Sequence, residues 1–168
     1  ATPHQCHYLQ AKYALEHGRH VICETPMVLR GDEAEELYDI AKEHNVVLLE
    51  ANKTAYCPAF NHLITLIKSG LIGDVVGIDA SESKLWGEEN LKRELDPKQA
   101  GGSLYEMGSY PLLPIIKLLG TDHRNINLYS RLNENKVDVY TRGIMLYDSA
   151  VASFQLGLGV KTEGNLVI

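Results

Sequence analysis

Gly18-Arg19-His20-Val21-Ile22-Cys23-Glu24-Thr25-Pro26 is the stretch whose reading decides the fold. A glycine ends one helix, a short apolar run of Val21, Ile22 and Cys23 follows, and the run stops at an acid, a hydroxyl and a proline. In an open α/β sheet, ligands sit in the crevice beyond the carboxyl ends of the strands. A strand from His20 to Glu24 that continues into Thr25 and Pro26 therefore delivers polar atoms to a binding crevice. The structural alternative is a buried strand followed by a plain turn.

The flanks supply helices. Thr2 can cap a helix, Pro3 suits its first turn, and Gln5 completes a Thr-x-x-Gln capping box. Tyr8, Ala11 and Leu15 then form one apolar face, and Gly18 closes the helix in the left-handed conformation. Downstream, Asp32 and Glu35 read as a second capping pair, with Ala34, Leu37, Ile40 and Ala41 on the buried face and an end near Asn45. Val46-Val47-Leu48-Leu49 before Glu50 predicts a parallel strand covered on both faces. Helix, strand, helix, strand is the rhythm of a doubly wound sheet.

Near Ala51 to Lys53 the rhythm changes. Pro58 opens a helix with Phe60, Leu63, Ile64 and Ile67 on one face, closed by Gly70. After Gly73, a strand alternates Val76, Ile78 and Ala80 with Gly77, Asp79 and Ser81, so one face is packed. Gly87 to Ala100 reads as a charged loop with a helical turn near Leu91, in which Lys92, Arg93 and the neighbouring acids are solvated. Ser103 to Leu119 reads as one helix kinked by Pro111 and Pro114 and ended by Gly120. Strands follow over Ile126–Leu132, Val137–Leu146, Ala150–Leu158 and from Gly164 onward, with turns at Asn133 to Lys136 and at Asp148-Ser149. The expected fold class is α/β plus α+β: a parallel-sheet domain over residues 1–52, then a mixed, largely antiparallel sheet domain over residues 53–168.

Bulk properties narrow the function. A chain of 168 residues can bury roughly 70% of its unfolded surface. The net charge of −6 argues against a nucleic-acid partner, which needs clustered Lys and Arg. No apolar run approaches the roughly 20 residues of a membrane span, so no membrane partner is expected. Cys6, Cys23 and Cys57 are odd in number and scattered, which suits reduced thiols and a cytoplasmic protein. Both ends read as cut. Ala1-Thr2-Pro3 has no preceding strand, and Leu166-Val167-Ile168 breaks off in an apolar run.

Glu106 and Tyr110 are the sharpest chemical pair, because a spacing of four sets them adjacent on one helical face. A carboxylate beside a phenol can hold a substrate hydroxyl and pass a proton, provided the phenol's ordinary pKa near 10 is lowered. The structural alternative is a hydrogen-bonded Glu–Tyr pair. His4, Cys6 and His7 fall within a turn of helix, but zinc wants three or four convergent ligands, and no metal is expected. Tyr129, Tyr140, Tyr147 and Phe154 suit strands without any ligand. No Gly-x-Gly-x-x-Gly opens a helix after a strand; Gly157 and Gly159 sit between strands, the wrong context for a dinucleotide fingerprint.

The segments Glu24-Thr25-Pro26, Ala1 to His4, Leu48 to Pro58, Gly70-x-x-Gly73 and Ala100 to Tyr110 together resemble the Gfo/Idh/MocA family of NAD(P)-dependent oxidoreductases. Tyr110 resembles the tyrosine of its dihydrodiol dehydrogenase-like branch. The resemblance implies a C-terminal remnant of a Rossmann-like sheet, without its glycine-rich part, followed by a substrate-binding and oligomerisation domain truncated at the C-terminus. It implies Pro3, His4, Glu24, Thr25, Pro26 and Asn52 beside NAD or NADP, and Glu106, Tyr110 and Lys53 around a small-molecule substrate: a sugar, polyol or diol. Trp86 would form a wall. It also implies a homo-oligomer through the open face of the antiparallel sheet, and loss of the earlier strands would favour self-association.

Two departures stand out. Thr25 replaces the family's lysine, and a hydroxyl brings neither its charge nor its titration. Glu106 replaces a shorter aspartate, a reach that displaces a proton acceptor. Either Lys53 or Tyr110 then supplies the proton chemistry, or the protein is an impaired member serving as a ligand-binding or oligomerisation module. The glycine-rich turn that binds pyrophosphate at a helix N-terminus is not among these residues. The 168-residue chain alone is therefore expected to bind NADH more weakly than micromolar in a fluorescence titration; a micromolar dissociation constant overturns this.

Overall fold

The structure is a computed structural model that describes residues 2–87 and 91–168. The chain divides into two compact units, Ala1–Asn52 with Lys98–Ala100, and Lys53–Pro97 with Gly101–Ile168. Ala1 of the Ala1 to His4 segment, and positions 88–90 of the expected charged loop, lie outside the described residues.

In the first unit, α1 (His4–Glu16), β1 (Val21–Cys23), α2 (Gly31–Glu43) and β2 (Leu48–Glu50) follow in the expected order. The two strands pair in parallel, from Val21 opposite Leu48 to Cys23 opposite Glu50. Ala11 and Leu15 of α1, Leu37 and Ala41 of α2, and Cys23, Met27 and Leu48 form one buried cluster. Both helices thus cover the same side of the sheet. The other side is open: Ile22 is 75% exposed. This corrects the expectation of a strand covered on both faces, since an apolar run fixes burial potential but not which neighbours supply it.

Neither expected capping pair forms. Pro3 occupies the N-cap position of α1, and Thr2 Oγ1 donates to Gln10 Oε1 at 2.9 Å. Asp32 lies inside α2, where the Arg30 guanidinium holds it through Nε at 2.9 Å. Glu33, not Glu35, accepts the Leu29 amide at 3.3 Å.

The second unit contains α3 (Pro58–Lys68), β3 (Gly77–Lys84), α4 (Ser103–Met107), α5 (Ser109–Leu119), β4 (Asn125–Leu132), β5 (Asp138–Leu146), β6 (Val151–Leu158) and β7 (Leu166–Val167). Its sheet has the order β4-β5-β6-β3-β7. The pair β3 and β6 is parallel, from Gly77 opposite Val151 to Lys84 opposite Leu158, and the other pairs are antiparallel. Ile78, Met145, Ala152, Phe154, Leu156 and Leu158 on one face of the sheet pack against Met107 and Ile115. Val76, expected to share that face, is 72% exposed because β3 starts one residue later. Leu91 joins this core, and a helical turn follows it through the Leu95 amide and Leu91 carbonyl at 2.9 Å. Among the described residues, no helix is long and apolar enough to cross a membrane.

The single kinked helix expected over Ser103 to Leu119 is two helices meeting at Gly108. Pro111 has no amide to give the carbonyl four residues earlier, so the ladder breaks there rather than bending. The start of α4 is fastened to the sheet by Asp138. Its Oδ2 accepts from Ser103 Oγ (2.6 Å), the Leu104 amide (2.9 Å) and Thr141 Oγ1 (3.0 Å). Gly102, at φ 132°, leaves room for that carboxylate; a Cβ there would lie 2.1 Å from Asp138 Oδ1.

Asp138→Ala strands these donors, two of them on the buried Ser103 and Thr141, and should cost about 2–4 kcal/mol in urea unfolding. Gly143 presents a second close approach: a Cβ there would meet the Phe154 ring at 2.2 Å. Gly143→Ala should cost about 1–3 kcal/mol by overpacking, measured by the same unfolding midpoint.

Candidate functional site

The segment after β1 is shaped from two sides within its own unit. The Thr25–Pro26 peptide bond is cis. His7 Nδ1 lies 2.8 Å from the Pro26 carbonyl oxygen, and His7 Nε2 lies 2.8 Å from that of Thr2. The ring thus lies between two backbone carbonyls, and a ring N–H facing either can donate to it. From the other side, Glu50 Oε1 at the end of β2 accepts the Met27 amide at 3.0 Å. Burial pushes the Cys23 thiol pKa up, so this cysteine is a packing residue.

Within this frame, Glu24 is exposed, with Oε2 accepting the Thr25 amide at 3.3 Å. Thr25 and Pro26 are half-buried. His4 is buried, its Nδ1 3.4 Å from the Ala100 carbonyl oxygen. Pro3 is exposed and Asn52 is buried. Of these residues, Glu24, Thr25, Pro26 and Asn52 follow the carboxyl ends of the two parallel strands, the place where open α/β sheets receive ligands. His7 and Glu50 shape this turn, and the sequence reading assigned neither to it. Among the described residues, no three His, Cys, Asp or Glu side chains converge as a metal site.

In the second unit, Glu106 sits in α4 and Tyr110 across the break in α5. The Glu106 side chain is only 3% exposed. Arg93 grips it with both arms, Nη1 to Oε1 at 2.7 Å and Nη2 to Oε2 at 2.8 Å. Lys84 Nζ approaches Oε2 at 3.5 Å. Glu94 joins the group, 3.3 Å from Arg93 Nη2 and 4.0 Å from Lys84 Nζ. Hydrogen bonding to Glu106 is the chief cause that raises the Arg93 pKa above its ordinary value. The expectation that Arg93 and its neighbouring acids are a solvated loop is thereby corrected: a buried carboxylate demands a partner, and this loop supplies it.

Lys84 ends β3 on the sheet face that carries Ile78 and Ala80, so its stem runs toward the helices. Its ammonium also lies 5.6 Å from the centre of the Trp86 ring. Trp86 is 53% exposed. Tyr110 is half-buried against the apolar core. Lys53 is exposed at the first position of a short 3-10 helix, Lys53–Tyr56. Lys84 and Arg93 were missed because they stand 22 and 13 residues from Glu106. Only the late burial of that acid signals them.

Two family signatures match the chain: one described as an oxidoreductase family with an NAD-binding Rossmann fold, over residues 1–52, and the GFO/IDH/MocA C-terminal domain, over residues 60–167. A scyllo-inositol 2-dehydrogenase (NADP(+)) of Bacillus subtilis is 33% identical over 126 residues, covering 71% of this chain and 38% of the relative. A trans-1,2-dihydrobenzene-1,2-diol dehydrogenase of Bos taurus is 29% identical over 169 residues, covering 99% of this chain and 50% of the relative. An aldose–aldose oxidoreductase from Caulobacter crescentus, solved with glycerol, superimposes with a TM-score of 0.85 at 23% identity, over 96% of this chain and 50% of that one. The chain spans half or less of the length of each of these proteins. With both signatures matched in order along the chain, it belongs to the Gfo/Idh/MocA oxidoreductase family.

Proposed function

We propose that this chain is part of an NAD(P)-dependent oxidoreductase acting on a sugar, polyol or diol. The carrying observation is the family membership of both units, joined by relatives that are NADP(+)-dependent inositol and xylose dehydrogenases and diol dehydrogenases. The nicotinamide cofactor supplies the hydride acceptor or donor when bound. The donor set of the first unit fits its nicotinamide end: a turn at Glu24, Thr25 and Pro26 and the Asn52 amide follow the carboxyl ends of the parallel strands, with His4 at the start of α1.

In this reading the Tyr110 phenol holds the substrate oxygen by a hydrogen bond. Glu106 acts as a fixed negative charge rather than as the proton acceptor, since Arg93 engages both of its oxygens. Lys53, an exposed ammonium, serves at the substrate's approach. Thr25 favours a second reading, an impaired member that binds ligand without turnover, because it lacks the charge that the family resemblance assigns to its position. In either case the open face of the second sheet, with Tyr129, Tyr140 and Arg142, is the contact for another copy.

Nicotinamide absorbance separates the readings. The full-length protein with NADP(+) or NAD(+) should reduce the cofactor with at least one of scyllo-inositol, D-xylose or a trans-1,2-diol. Binding of these compounds without turnover on any of them supports the module and overturns the enzyme.

A further inference from the structure

We infer that His7 is a positioning residue for the cofactor: its buried ring joins the start of α1 to the Glu24-Thr25-Pro26 turn and holds that turn ready for the nicotinamide end. This rests on the proposed oxidoreductase reading and deepens it. Every contact involved lies within the first unit.

The turn has little of its own to fix it. Glu24 is exposed, and its carboxylate accepts the amide of its own neighbour, Thr25, at 3.3 Å. Pro26 has no backbone N–H, so its carbonyl is the polar group it can offer. His7 Nδ1 stands 2.8 Å from that oxygen. The second ring nitrogen, Nε2, stands 2.8 Å from the Thr2 carbonyl oxygen, just before α1. His7 is 3% exposed, so water is not at hand to replace either contact. A buried carbonyl left without its donor is costly. One flat ring therefore sets the spacing between two backbone segments far apart in sequence.

The flanks of the turn are held by the other strand. Before it, the Cys23 carbonyl accepts the Ala51 amide at 2.7 Å. After it, Glu50 Oε1 accepts the Met27 amide at 3.0 Å. The chain on either side is thus tied to β2 and the residue after it, while His7 ties the turn itself to α1. The consequence for binding is preorganisation. A site that adopts its competent arrangement only part of the time has its apparent affinity reduced by that fraction. Removing the ring releases the turn, and cofactor binding must then reorder it.

Cofactor affinity of the full-length protein, read from NADPH and NADH fluorescence well below the melting temperature, tests this without turnover. His7→Leu, an apolar side chain without a donor, should raise the dissociation constant about tenfold or more. His7→Asn places an amide N–H near the position of ring Nδ1, and should stay within about threefold of the wild type. Leu15→Ala truncates a fully buried core residue of the same unit; it should lower the melting temperature yet leave the dissociation constant unchanged. Hydrogen exchange at the Thr25 and Met27 amides should speed up in His7→Leu and slow again with bound cofactor. Unchanged affinity in His7→Leu, a loss in His7→Asn as deep as in His7→Leu, a like loss in Leu15→Ala, or exchange indifferent to His7 overturns the inference and leaves the oxidoreductase reading standing. A wild-type protein that binds neither NADPH nor NADH overturns both.

Discussion

A carboxylate almost without solvent must find its counter-charge inside the protein, and Glu106 imposes that demand on the second unit. Leaving such an anion without its partner costs about 3–5 kcal/mol, comparable to much of a small domain's net stability. The segment that returns from β3 toward α4 therefore brings Arg93 to it. A guanidinium suits the task because its planar fork meets both carboxylate oxygens at once. The loop carrying Arg93 is in turn fixed by Leu91, which is 1% exposed in the apolar core. Ion pair and core stabilise one conformation jointly, so the charged cluster belongs to the packing of the unit.

The same acid depends on how α4 is seated. A five-residue helix is too short to persist on its own propensity. It is held by Asp138, which takes the hydroxyl of Ser103 and the amide of Leu104 on one oxygen, so the β5 backbone sets where α4 begins. Three residues later comes Glu106, and one residue beyond that Met107 drops into the core at 1% exposure. The break at Gly108 then lets α5 start afresh, with Pro111 in its first turn where a missing amide costs least. Tyr110 thus belongs to a different helix from Glu106, and the two side chains answer to different supports. The spacing of four placed both residues correctly on helices but could not reveal the discontinuity between them.

Most of the architecture was legible because it is local. Apolar periods of 3.6 and 2 located the helices and the later strands, and glycines at Gly18, Gly70 and Gly120 marked helix ends that all adopt positive φ. What failed was also local, but under-determined. Asp32 can cap only from the residue preceding the helix, and the helix starts one residue before it. The charged loop was misread for the opposite reason. Arg93 beside Glu94 looks solvated in any short window, and only the distant burial of Glu106 converts it into an internal partner. Likewise His7 was weighed as a metal ligand with His4 and Cys6. Its two ring nitrogens instead meet carbonyl oxygens of Thr2 and Pro26, backbone atoms that carry no side-chain signal.

Charge balance in the cluster limits what it can recognise. Lys84 and Arg93 face Glu94 and Glu106, two cations against two anions within 4.0 Å of one another. Internally neutralised groups present little net field to an approaching ion, so the cluster is no trap for a phosphate or carboxylate. Of the four groups, the two acids and the arginine are committed to each other by short contacts and enclosure. Lysine, a compact charge on a flexible stem, makes the longer contacts, 3.5 Å to Glu106 and 4.0 Å to Glu94.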